Sequence, residues 1–114
     1  MITRIEPGTR LSEASVHGGL VYLAGQVPAD TSQAMFGQTQ QVLANIDRIL
    51  AKAGSHKSRL LSCTIYITDL AQFSEMNRAW DAWVDPSNLP ARATVEVKLA
   101  NPAWLVEIQG MAAA

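Results

Sequence analysis

Cysteine is nearly absent from this chain: among 114 residues only Cys63 carries a thiol. A single thiol excludes an internal disulfide and any metal site built from several cysteines. Histidine is almost as scarce. His17 and His56 stand alone, neither with a companion at metal-ligand spacing, so no metal is expected. Charged residues make up only 17%, against roughly a quarter in an average globular domain. Nine basic residues oppose ten acidic ones, for a net charge of −1. The nearest approach to a basic cluster, Lys52, Lys57 and Arg59, is broken by Gly54, Ser55 and His56 and reads as a solvated loop after a helix. With neither a basic stripe nor interleaved aromatics, no nucleic-acid partner is expected. No run of about 18 apolar residues exists, so no membrane association is expected. The segment Ile2-Thr3-Arg4-Ile5-Glu6 lacks the apolar core of a signal peptide, and a cytoplasmic location is the expectation. Gly-rich phosphate loops, nucleophile elbows and HExxH motifs are also missing.

Apolar residues are plentiful, at 48%. That suffices for one core, and the length fits a single domain over residues 1–114. The thin surface charge is consistent with part of the surface being covered by another subunit. Residues 2–6 alternate weakly, as a first strand would. Gly18-Gly19 between the β-prone runs 15–17 and 20–26 signals a hairpin, and Pro28 ends the second run. Phe36, Leu43, Ile46, Leu50 and Ala53 repeat at helical spacing, with Gly54 placed as a left-handed cap. Residues 60–68 read as a central strand with Leu61, Cys63, Ile65 and Ile67 on one face. Asp69 and Gln72 have capping-box spacing, predicting a second helix over 70–84 with Phe73, Met76, Trp80, Trp83 and Val84 as its stripe. Two final runs, 92–97 and 104–110, are expected to pair as a hairpin turning near Ala100 and Asn101. Arg92, Thr94, Glu96, Glu107 and Gln109 would then line one side of it, with Thr94 opposite Glu107. The sum is an α+β fold: a two-layer sandwich of a mostly antiparallel sheet with two helices on one face.

Few residues are placed to carry chemistry. Arg92 begins a strand within an apolar segment. Its planar fork suits a bidentate grip on a carboxylate, and it suits equally an edge-strand ion pair with Glu96. Glu107, between Val106 and Ile108, is either a carboxylate raised in pKa for proton transfer or the exposed face of an alternating strand. Asn77 borders the apolar stripe of the second helix and needs partners, a neighbouring loop or a ligand. Gly25, at a strand end, allows a backbone or a ligand to approach closely. Cys63 reads as core, and Trp80, Trp83 and Trp104 as core or interface anchors.

Several stretches together resemble the RidA/YjgF family. Val21-Tyr22-Leu23-Ala24-Gly25-Gln26-Val27-Pro28 is similar to its SGQIP strand end, and Gln38-Thr39-Gln40-Gln41-Val42-Leu43-Ala44-Asn45-Ile46 to its QTRQVLENI helix. Pro90-Ala91-Arg92-Ala93-Thr94-Val95-Glu96-Val97 resembles PARSTVEV, and Val106-Glu107-Ile108 the closing VEIE strand. Residues 57–84 resemble the shorter YoaB-like branch. The resemblance spans nearly the whole chain. It implies a chorismate-mutase-like fold, a homotrimer around a barrel, and ligand clefts between subunits. It also implies cofactor-free hydrolysis of enamines and imines of the 2-aminoacrylate and 2-iminopropanoate type to a 2-keto acid and ammonia. By the same resemblance Arg92 would bind the substrate carboxylate and Glu107 would serve the hydrolytic water. Asn77, Thr94, Gly25 and Ala24 would complete the pocket. The chain departs from the family pattern at Ala24, where typical deaminases have serine, near Leu11 and Ser12, where they carry a tyrosine, and at Thr94, which replaces a cysteine. A trimer that binds small carboxylates without turnover is the alternative. The endoribonuclease label that the family also carries finds no support in the charge pattern.

Overall fold

The computed structural model describes residues 1–114. Six strands and two helices follow in the order β1 (Thr3–Pro7), β2 (Ser12–His17), β3 (Leu20–Gln26), α1 (Met35–Lys52), β4 (Leu60–Ile67), α2 (Phe73–Trp83), β5 (Ala91–Glu96) and β6 (Val106–Ala113). They form one sheet in the order β1-β2-β3-β6-β4-β5, antiparallel except where β4 meets β5. Both helices cover the same face. Val21 and Leu23 of β3, Ile65 and Ile67 of β4 and Ile108 of β6 meet Val42, Ile46, Ile49 and Leu50 of α1 and Met76 and Trp80 of α2 in a single core.

Local chemistry explains the boundaries. Gly18 and Gly19 have φ of 60° and 78°, the two consecutive positive values that a two-residue hairpin requires. Gly54 has φ of 77° just past α1. There the Ser55 amide donates to the Leu50 carbonyl (2.8 Å) and the Gly54 amide to that of Ala51 (3.1 Å), a Schellman closure.

Three expectations need correction. The second helix begins later than capping-box spacing predicts. Asp69 accepts from the Ala71 amide (2.9 Å) and starts a single 3-10 turn, Leu70–Gln72, before α2. Phe73 is consequently exposed rather than part of the buried stripe. In β4, Leu60 is buried and Leu61 is 47% exposed, because the register against β6 slips by one residue between Leu60 and Ser62. A bulge inverts the in-out parity on one side of itself, which simple alternation does not register.

The largest correction concerns the last two strands, which do not pair with each other. β5 lies parallel to β4 at the sheet edge, while β6 inserts between β3 and β4. A strand, a helix and a strand in succession return the chain in its original direction, so β4-α2-β5 is a parallel crossover unit. β6, with Val106, Ile108 and Ala112 fully buried, then takes the central position that an edge strand could not fill. Thr94 therefore lies beside Ile65, whose other neighbour is Ile108, and not opposite Glu107.

Candidate functional site

The residues singled out in the sequence fall into two groups on opposite faces of the sheet. Arg92 neighbours Cys63, which faces the helices, whereas Glu107 neighbours Tyr66, which faces away from them. The two are two strands apart and offset by three residues, about 10 Å in each direction by ordinary strand spacing. Arg92, Thr94 and Glu96 thus do not share a face with Glu107 and Gln109, contrary to the hairpin expectation. One chain cannot bring Arg92 and Glu107 onto one small molecule.

The first group surrounds Glu107. Leu23 pairs with Gly110 and Gln26 with Ile108, so β3 has an extra residue at Ala24-Gly25 opposite Gln109. The bulge leaves Gly25 beneath the Glu107 carboxyl. A Cβ built on Gly25 would stand 1.9 Å from Glu107 Oε2 and 2.7 Å from its Cδ. The close approach expected at this glycine is therefore made by a carboxylate of the same chain. Burial pushes the Glu107 carboxyl above its ordinary pKa of 4.5, because the charged form loses water.

Around it lies a cavity of about 430 Å³, walled by Leu11, Ala24, Val27, Ala100 and Trp104 with Glu13 at its polar margin. Three other side chains of this wall have partners. Gln26 donates to the Ala24 carbonyl (3.1 Å), Asn45 to that of Val27 (3.2 Å), and Arg48 is ion-paired with Glu6.

The second group lies between β5 and α2. The Arg92 guanidinium sits 5.3 Å from the Trp80 ring centre and 5.9 Å from that of Phe73, a cation over aromatic faces. It forms no ion pair. Glu96, the acid it might have bound, instead accepts from the Leu70 amide (2.9 Å). Asn77 Oδ1 and Thr94 Oγ1 are the two buried side-chain atoms of the chain without a hydrogen-bond partner. An orphaned buried acceptor and hydroxyl cost about 1–3 kcal/mol each unless something binds them. Cys63, beside Arg92, is buried, and desolvation pushes its thiol up to about 11 despite the nearby cation. It is core, as its alternation with Ile65 suggested.

Sequence reasoning missed Gln38. This fully buried residue of α1 donates to the carbonyls of Gln33 (3.1 Å) and Ala103 (3.1 Å) and accepts from the Leu105 amide (2.8 Å). It thereby fixes the loop that delivers Trp104 and, two residues into β6, Glu107. The signal was present in the helical period. Gln38 stands three residues after Met35 and four before Val42, both buried, which puts a glutamine on the apolar stripe. No group of three or more His, Cys, Asp and Glu gathers anywhere in the fold, and no helix is long and apolar enough to cross a membrane.

A family model described as Endoribonuclease L-PSP matches residues 1–114. A RutC family protein of Haemophilus ducreyi is 54% identical over 108 residues, covering 95% of this chain and 92% of that protein. The RutC family protein YoaB of Escherichia coli is 43% identical over 112 residues, covering 98% and 97%. A crystal structure of a YjgF-family member from Neisseria meningitidis superposes with a TM-score of 0.96 at 44% identity, covering 99% of this chain and 94% of the other.

Proposed function

We infer, since this chain belongs to the Endoribonuclease L-PSP family with its RutC and YjgF relatives, that it hydrolyses reactive 2-imino acids and their enamine tautomers to 2-keto acids and ammonia. The observation that carries this reading is an arginine without an acid partner, lying over Phe73 and Trp80 of α2, while the same helix carries the unpartnered Asn77 Oδ1 between those two aromatics and β5 carries the unpartnered Thr94 Oγ1 two residues on from Arg92. Such a cluster is completed by a small carboxylate that also carries an N–H. Arg92 grips the carboxylate through two parallel hydrogen bonds, the Thr94 hydroxyl donates to it, and Asn77 Oδ1 accepts from the N–H of the imine or enamine.

Arg92 and Glu107 act on one molecule only across a boundary between chains. A homotrimer, in which the β5 edge of one subunit meets the Glu107 cavity of the next, joins the two halves. The carboxylate anchor then holds the imine carbon at the Glu107 carboxyl, and orientation supplies much of the rate. Water adds to the electrophilic carbon as Glu107 takes its proton. The same group returns that proton to nitrogen, which gives a carbinolamine. Glu107 then takes the carbinol hydroxyl proton and delivers it to the amine as the C–N bond breaks, so that ammonia leaves and the C=O of the keto acid forms. A carboxyl raised in pKa by burial is closer to neutrality and better matched to both transfers. Water is the only co-reactant this hydrolysis consumes.

Ammonia release from freshly generated 2-aminoacrylate tests the reading. Wild type should exceed buffer, and Arg92→Ala should lose at least about a hundredfold in kcat/KM, the scale of a lost charged anchor. Equal rates for wild type, variant and buffer refute it. A second reading, carboxylate binding without turnover, draws support from the cavity wall. Ala24 offers no hydroxyl there, and Leu11 lines it in place of a tyrosine. Binding abolished by Arg92→Ala in the absence of any turnover selects that reading.

A further inference from the structure

The chemistry of the Glu107 cavity bears on which 2-imino acid the protein takes. We propose that it is built for substrates with bulky apolar side chains, of the leucine or phenylalanine kind, seated against Leu11, Ala24 and Trp104. The inference rests on the proposed function, and it concerns the half of the cleft opposite the carboxylate anchor.

Three observations lead to it. First, the cavity holds no cation free to bind a carboxylate. Its one arginine, Arg48, is tied to Glu6, and its remaining charges are the acids Glu13 and Glu107. The anionic end of a substrate is therefore repelled from this wall, and the uncharged end is directed towards it. Second, the wall offers hydrocarbon and few free donors. Leu11, Ala24, Val27, Ala100 and Trp104 present hydrocarbon, while the amide N–H groups of Gln26 and Asn45 are spent on backbone carbonyls. Third, the cavity within one chain is roomier than a three-carbon acid needs. About 430 Å³, measured before a neighbouring subunit's edge closes its open side, lies within the range of pockets that enclose ligands of drug size.

Trp104 is held firmly enough to select. Gln38 bonds both residues that flank it, accepting from the Leu105 amide and donating to the Ala103 carbonyl. The backbone that carries the indole is thus fixed on both sides of it. Each methylene packed there multiplies affinity roughly fourfold, so a leucine-type side chain gains about tenfold or more over a methyl.

The test compares kcat/KM for 2-imino acids made in situ by an amino-acid oxidase from alanine, leucine, phenylalanine and arginine. The leucine- and phenylalanine-derived imines should exceed the alanine-derived one by about tenfold or more. Trp104→Ala should shrink that ratio about tenfold. Leu11→Ser, at a site 57% exposed where folding is little at risk, should shrink it in the same direction. A wild-type ratio at or below one overturns the proposal. So does a preference for the arginine-derived imine, which would assign the cavity to Glu13. Should no imine be consumed faster than in buffer, it is the deaminase reading that fails. Calorimetry with 2-keto acids then decides the cavity: 4-methyl-2-oxopentanoate binding about tenfold tighter than pyruvate upholds it, and equal affinity overturns it.

Discussion

At the scale of single residues, Gly25 and Glu107 form a pair in which the absence of one side chain makes room for the other. The conflict created by Gly25→Ala is with the far end of a flexible side chain, and Gly25 does not have the positive φ that would strain an alanine. The fold should therefore survive while the carboxyl is driven from its seat. Imine hydrolysis is expected to fall by about 10²–10⁴, the usual contribution of a positioned acid-base group, with an unchanged circular dichroism spectrum. Glu107→Gln should cost a similar factor and also alter the pH profile of stability. The folded carboxyl titrates above 4.5, so its protonated form favours folding below that pH, and the benefit is lost as pH rises through the folded value. The glutamine variant should melt slightly above wild type at pH 7, by about 2 °C or less because the group is partly solvated, and the gap should close below pH 4.5. Arg92, Glu107, Asn77, Thr94 and Gly25 were all visible in the sequence as candidates. The linkage between Gly25 and Glu107 was not, since nothing in the spacing of residues 25 and 107 shows that a bulge sets one beneath the other.

Among the elements, legibility depended on whether the signal was local. The Gly18-Gly19 hairpin, α1 with its Gly54 cap, and the position of β4 could be read because each is determined by residues within a few positions of one another. Two features escaped because they depend on neighbours distant in the chain. The displacement of Leu61 arises where β4 meets β6, and the separation of β5 from β6 arises because β4 accepts a strand on each side. The first of these leaves Gly110 against the bulged strand. A Cβ there would lie 2.6 Å from the Ser62 carbonyl oxygen and 3.1 Å from Cys63 Sγ, and a backbone oxygen held in a central strand cannot yield as a side chain does. Gly110→Ala should accordingly destabilise by about 1–3 kcal/mol, read as a lower midpoint of urea unfolding with unchanged slope. Gly25→Ala and Gly110→Ala, chemically the same change on adjoining strands, thus separate an effect on activity from an effect on stability.

For the molecule as a whole, the sheet has one face packed under helices and one without cover. On the latter lie Tyr22 and Leu61, 43% and 47% exposed, with Met111 half-buried. The low proportion of charge noted in the sequence fits such a face, but composition could not say where it lies. Light scattering is expected to give three times the 12.3 kDa chain mass. The division of Arg92 and Glu107 between the two sides of the sheet has a genetic corollary. If every cleft draws its guanidinium from one chain and its carboxyl from the next, two inactive variants can heal each other. Arg92→Ala and Glu107→Gln chains, unfolded together and refolded at equal proportion, should recover roughly a quarter of wild-type turnover, since random assortment leaves about one junction in four with both groups intact. Refolded separately, each should stay at or below about a hundredth of wild type, so complementation between crippled alleles becomes a direct assay of which subunit lends which group.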